Sequence, residues 1–131
     1  MTDLFPALVF DVETNDMMDF ELPADDLKQA RIASIGLILL DEDPAKDESW
    51  TSKVYPEDWI MHPGAHEVNG LEDKDLRECG LRIELVMRIF NQYLERAKDF
   101  ASYGMRFDTK LLRGERRRLG LPAGFGELPE V

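Results

Sequence analysis

The chain has a single cysteine, Cys79, so no disulfide can close within it. That usage fits a reducing compartment, and the cytoplasm is the expected location. It has no apolar run near the roughly 20 residues that a membrane-spanning helix needs, so no membrane partner is expected. Its first residues, Met1, Thr2 and Asp3, lack the basic start and apolar stretch of a secretory signal. Positive charge is scarce: 16 Lys and Arg stand against 27 Asp and Glu, for a net charge of −11. A broad basic surface, the usual source of non-specific nucleic-acid affinity, is thereby excluded. An acidic protein can still meet phosphates through bound metal ions. There is no internal repeat, no Gly-rich phosphate loop and no Ser-His-Asp arrangement. The only histidines, His62 and His66, are separated by Pro63 and Gly64 among others, so no helix face is expected to present both. A zinc site with Cys79 is not expected. Both histidines read as loop residues, with His66 a candidate to line a pocket, and Cys79 as a small half-buried filler.

What the chain does contain is enough for one domain with a real core: 131 residues, 44% of them hydrophobic. The stretch Leu8-Val9-Phe10-Asp11-Val12-Glu13-Thr14 stands out. It is an apolar run with two carboxylates two residues apart. In a β-strand such residues point to the same face, so Asp11 and Glu13 sit side by side with Leu8, Phe10 and Val12 opposite. Two adjacent carboxylates repel each other and are costly to bury bare. A hard divalent cation such as Mg²⁺, held by carboxylates and substrate phosphates, removes both problems. The alternative is a strand whose charges simply face solvent.

Along the chain, residues 4–12 read as a first strand and 17–30 as an acidic connecting loop. Residues 31–40 read as a central β-rich strand, 41–48 as a solvated acidic turn, and 49–55 as a third, antiparallel strand. Residues 56–70, with two prolines and two glycines, read as loop. Residues 72–78 form a short helix ended by Gly80. Ile83, Val86, Met87, Phe90, Leu94 and Ala97 then fall on one side of a long helix, a core stripe. Residues 99–103 read as a fourth strand and 107–119 as a helix stopped by Gly120-Leu121-Pro122. The residues from 123 to 131 show little periodicity. This order predicts a mixed sheet with helices packed on it. A helical crossover would lay the fourth strand parallel to the first and bring Asp108 toward Asp11 and Glu13. Trp50 and Trp59 could stack on bases but read as core or loop anchors. Arg116, Arg117 and Arg118 read as a solvated helix face, near enough in sequence to Asp108 to touch a nucleic-acid backbone.

The motif Val9-Phe10-Asp11-Val12-Glu13-Thr14 resembles the first motif of the DEDD 3′→5′ exonuclease superfamily, the proofreading-exonuclease group with a ribonuclease H-like fold. The stretch from Ala101 to Leu112, with Phe107-Asp108 at a helix start, is similar to its second motif. Tyr55-Pro56-Glu57-Asp58-Trp59-Ile60 and Ala65-His66-Glu67-Val68-Asn69-Gly70-Leu71 are similar to the loop between them. The resemblance spans roughly residues 5 to 121 and is nearest to stand-alone bacterial and phage exonucleases; several motifs in order carry more weight than any one. It implies an α/β chain with a ribonuclease H-like mixed sheet and flanking helices, residues 1–131 being one partial domain, incomplete at the C-terminus.

The resemblance further implies two divalent metals, Mg²⁺ or Mn²⁺, with Asp11, Glu13 and Asp108 as three of four carboxylate ligands, acting on the 3′ end of DNA or RNA. Glu13 would also orient the attacking water. Thr14, Asn15, His66 and Asn69 would border the nucleotide. The family continues Glu-Thr-Thr-Gly where this chain has Glu13-Thr14-Asn15-Asp16, often has His-Asn at Tyr103-Gly104, and has Val-His-Gly at Val68-Asn69-Gly70. Its third motif, a fourth Asp preceded by a His or Tyr base, is expected well beyond Asp108, and none is found before Val131. The expectation is therefore retained metal binding with weak nuclease activity, and self-association through apolar surface left uncovered around Ile83, Phe90 and Leu94. The competing readings are a non-catalytic nucleotide- or protein-binding remnant of the same fold and, against the well-formed motifs, an acidic mimic of nucleic acid.

Overall fold

A computed structural model describes residues 4–121. The alternating run at the start forms β1 (Ala7–Thr14), with Leu8, Phe10 and Val12 buried and Asp11 and Glu13 exposed. It pairs antiparallel with β2 (Ile32–Leu40), which pairs antiparallel with β3 (Glu48–Lys53). A 3₁₀ turn, Pro44–Lys46, closes the hairpin, its first residues capped by the Asp43 carboxylate. Three helices follow: α1 (Pro63–Asn69), α2 (Asp73–Cys79) and α3 (Ile83–Arg96). The chain then returns as β4 (Asp99–Ala101), parallel to β1 as expected, and ends its described part in α4 (Met105–Arg118). The sheet order is β3-β2-β1-β4. Among the described residues no helix is long and apolar enough to cross a membrane.

The core lies on one face of this sheet. Leu8, Phe10, Ile35, Leu37 and Leu39 meet Ile83, Val86, Met87 and Phe90 from α3, together with Leu111 and Leu112 from α4. Phe10 and Phe90 meet edge to face at 5.6 Å, a geometry worth about 0.5–1.5 kcal/mol beyond the area buried. The stripe on α3 is therefore covered. Ile83 is 5% and Phe90 0% exposed, so it does not form the open apolar surface foreseen for self-association.

Two elements differ from the sequence reading. Residues 63–69 are helical, because Pro63 occupies the first helical turn, where it needs no amide, and Gly70 caps the end with a φ of 71°. Residues 17–30 are more than a connector: they strap α4. The Phe20 carbonyl accepts from Lys110 Nζ at 3.1 Å, and the Asp26 carbonyl accepts from Arg118 at 2.9 Å. The strap comes so close at Gly114 that a Cβ there would lie 2.1 Å from the Ala24 carbonyl oxygen. The strap holds its own shape through buried Gln29, whose side-chain amide donates to the Asp19 carbonyl at 2.7 Å and whose side-chain oxygen accepts from the Asp19 and Ala30 amides at 2.9 and 3.0 Å.

α4 is buried continuously from Asp108 to Arg116. Arg116 is thus 3% exposed and not on a solvated face, whereas Arg117 is exposed. Buried charge on this helix is compensated at Glu115, 1% exposed. Its carboxylate accepts from Arg31 Nε at 3.0 Å, from the Ile32 amide at 3.0 Å and from Arg118 at 3.2 Å. Burial alone would lower the Arg31 pKa, but the bonds and charges of Glu115 and Asp58 outweigh it and leave the guanidinium more firmly protonated. Truncating Glu115 to Ala leaves the half-buried Arg31 with Asp58 as its remaining partner and strands the Ile32 amide, and the expected loss is on the order of 3 kcal/mol in urea denaturation. Glu84→Ala, which removes only the exposed pair with Arg88, should cost less than about 1 kcal/mol.

Candidate active site

Asp11 and Glu13 project from the face of β1 opposite the core. Register pairs Asp11 with Gly36 and Glu13 with Ser34 on β2, and both carboxylates line an open pocket of about 640 Å³. The ladder shifts register between Glu13 and Thr14, and the strand ends at Thr14, one residue beyond the second carboxylate. Asp108 reaches the same end of the sheet by another route. β4 lies beside Ala7, Leu8 and Val9, and α4 starts a few residues later with Asp108 in its first turn.

Electrostatics ties the three together. Burial first, then the charge of Asp11, pushes the Glu13 carboxyl above its ordinary pKa. Asp108, 2% exposed, is pushed up to about 7, by burial foremost, with a hydrogen bond to Ser102 opposing and the charges of Asp11 and Glu13 adding to the rise. Its Oδ2 is buried without a hydrogen-bond partner. Among the described residues, however, no three His, Cys, Asp or Glu side chains are gathered closely enough to hold a metal ion as they stand. Sequence reasoning thus placed the three carboxylates at one end of the sheet, but the structure does not draw them into a finished ligand cage. The donor set nonetheless suits a hard divalent cation: carboxylates alone, one of them with an oxygen that lacks a donor.

The four residues assigned to the nucleotide are spread around this end, each with its side chain engaged. Thr14 Oγ1 donates to the Asp16 carbonyl at 2.7 Å. Asn15 is 5% exposed; its amide donates to the Ile60 carbonyl at 3.0 Å and its side-chain oxygen accepts from the Arg31 amide at 2.6 Å. Asn69 bridges α1 to the motif loop, donating to the Thr14 carbonyl at 2.9 Å and accepting from the Leu71 amide at 2.9 Å. His66 Nδ1 lies 2.8 Å from the Leu71 carbonyl and lines a separate small pocket. Thr14 and Asn69 share an apolar cavity of about 290 Å³ with Glu13, Met17, Val68 and Phe107. Cys79 is exposed on the rim of the carboxylate pocket, not half-buried. Trp50 and Trp59 are half-buried and pack on the core, as anchors. Lys53, which the sequence gave no reason to single out, also lines the carboxylate pocket; only the cross-strand register reveals it.

No family model matches the chain, and no curated protein matches it in sequence. Solved structures do. Exonuclease I in complex with an inhibitor superposes with a TM-score of 0.73 at 22% identity, over 89% of this chain and 25% of that one. E. coli exonuclease I in complex with a dA16 oligonucleotide gives 0.74 at 20% identity, over 89% and 24%. A product-bound exonuclease I gives 0.72 at 21%, over 89% and 26%. The chain has the fold of these exonucleases, a mixed four-stranded sheet with flanking helices, as the motif resemblance implied, and it spans about a quarter of their length.

The pKa of Asp108 makes a prediction with a definite sign. Its folded-state value of about 7 lies above the ordinary 3.8, so between those values the folded state holds the proton that the unfolded state has released. Stability of the metal-free protein should therefore fall as pH rises from about 4 through 7, with Glu13 contributing in the same direction. Asp108→Asn should flatten most of that slope in urea denaturation at a series of pH values.

Proposed function

We propose that the chain carries the carboxylate site of a divalent-metal-dependent 3′→5′ exonuclease, which hydrolyses phosphodiester bonds at nucleic-acid ends and releases nucleoside monophosphates. What supports this reading most is the placement of Asp11, Glu13 and Asp108 at one end of the sheet, near enough for the charges of the first two to act on the third, in a chain with the fold of exonuclease I. Mg²⁺ or Mn²⁺ held by these three would supply charge neutralisation and a water acidic enough to attack phosphorus.

The rest falls to the chain's own residues. Asp11 and Glu13 are open to an incoming phosphate, while Asp108 is shielded. Glu13, made more basic by burial and by Asp11, is suited to accept a hydrogen bond from the attacking water and orient it. The apolar cavity beside it, walled by Met17, Val68 and Phe107, suits the face of a terminal nucleobase. Asn69 fixes the wall of that cavity by holding the Thr14 carbonyl. A nucleic-acid 3′ end is the partner this arrangement suits, and the chemistry is the same for DNA and RNA.

One observation favours a second reading, a non-catalytic binding remnant of the same fold. Among the described residues, the three carboxyl groups are not gathered into a set that could hold a metal ion as it stands.

Calorimetry and a 3′-labelled single-stranded oligonucleotide separate the two. The exonuclease reading expects Mn²⁺ to bind, to raise the melting temperature by mass action, and to do both more weakly in Asp11→Asn. It also expects stepwise shortening of the oligonucleotide in Mn²⁺, lost or strongly slowed in Asp11→Asn. Metal binding with no shortening at any enzyme concentration supports the remnant. Mn²⁺ affinity unchanged in Asp11→Asn overturns the metal assignment.

A further inference from the structure

The open face of the sheet is laid out in rows across three strands. Glu13 pairs with Ser34 and Ser34 with Lys53; Asp11 pairs with Gly36 and Gly36 with Thr51. Each row thus starts with a carboxylate on β1 and ends on β3 with a hydrogen-bond donor, about 10 Å away at two strand spacings. Between them Gly36 leaves the floor bare, and the pocket of about 640 Å³ spans both rows. Lys53 is the only cation among the described residues that line it, and Ser34 and Thr51 add hydroxyls. No carboxylate among the described residues holds the Lys53 ammonium in an ion pair. This matters in a chain of net charge −11, whose long-range field repels polyanions. An unpaired ammonium beside two carboxylates is placed to hold an anion that the carboxylates themselves would turn away.

We propose that Lys53, with the hydroxyls of Ser34 and Thr51, forms a phosphate subsite that seats the backbone of a single-stranded nucleic acid across β2 and β3, next to the carboxylate pair. The inference rests on the exonuclease reading for the identity of the strand, but its own contact is the phosphodiester oxygen, the same in DNA and RNA. Bound there, the strand crosses the sheet over Gly36, with one phosphate on Lys53 and its neighbour directed toward Asp11 and Glu13.

The test is binding of a fluorescent oligothymidylate to the full chain in Mn²⁺-containing buffer, over a range of salt concentrations, with Lys53→Met, Lys53→Arg and Lys46→Met. Lys46 sits in the exposed turn between β2 and β3, outside the pocket, so its variant removes the same charge elsewhere. Loss of one phosphate contact on a single strand lowers the slope of log affinity against log salt by about 0.7. The expected result is that drop in Lys53→Met, with weaker binding, while Lys53→Arg and Lys46→Met keep the parent slope. Equal slopes in Lys53→Met and the parent overturn the subsite, as does an equal drop in Lys46→Met, which would mean net charge alone. Failure of the parent to bind the oligonucleotide also overturns it. Loss of Mn²⁺ binding in Asp11→Asn, measured without oligonucleotide, reports on the carboxylate site separately, so the two readings fail independently.

Discussion

The carboxylate of Glu115 holds the architecture of the site in register. It lies on α4 yet takes its hydrogen bonds from the start of β2, through the Arg31 guanidinium and the Ile32 amide, and from Arg118 on its own helix. A helix packed on a sheet by apolar contacts alone can slide or rotate with modest loss. One whose buried charge must meet a fixed amide cannot, because an unpaired buried carboxylate is far more costly than a rearranged methyl group. Asp108 lies two helical turns before Glu115, on the same side of α4. Fixing one fixes the other. The strap over Gly114 adds a second constraint, backbone against backbone, which admits no side chain between the two.

That rigidity explains how three acids coexist at one end of a protein already rich in negative charge. Two of them, Asp11 and Glu13, face water and share the pocket. The third is buried and drawn toward its neutral form near physiological pH. A proton on Asp108 relieves the repulsion until another positive charge replaces it. The fold thereby brings the three acids to one end of the sheet at modest cost, protonation of Asp108 taking up the strain of its burial.

Much of this was legible from residue patterns. Alternation in β1 separated Phe10 from Asp11, and the spacing of Ile83, Val86, Met87 and Phe90 identified the buried stripe on α3. The parallel return of β4 followed from a helical crossover, and with it the approach of Asp108. What escaped was whatever depended on two distant segments touching. Arg116 looked like surface because its own charge and its two arginine neighbours suggested it, and nothing local to its helix reveals its burial. Residues 63–69 looked like loop because proline and glycine were read as breakers, although Pro63 sits where a helix tolerates it. Thr14, Asn15, His66 and Asn69 were read as ligand contacts, and the structure gives each a hydrogen bond to the surrounding loops. Lys53 was invisible because its importance is a matter of cross-strand register, which no single segment encodes.

The alternation in β1 has a consequence for how such a chain can vary in length. Its even and odd positions have separate tasks, core on one side and acid chemistry on the other. A residue inserted between Leu8 and Glu13 would exchange those faces for part of the strand, sending a carboxylate into the core and Phe10 or Val12 into the pocket. Both fold and site would be lost in a single event. After Glu13 the alternation is no longer enforced, because the ladder already slips there and the strand ends one residue later. Gains and losses of residues among relatives of this fold should therefore accumulate just beyond the second acid and stay out of the strand before it, making that boundary an easy landmark for aligning very distant sequences.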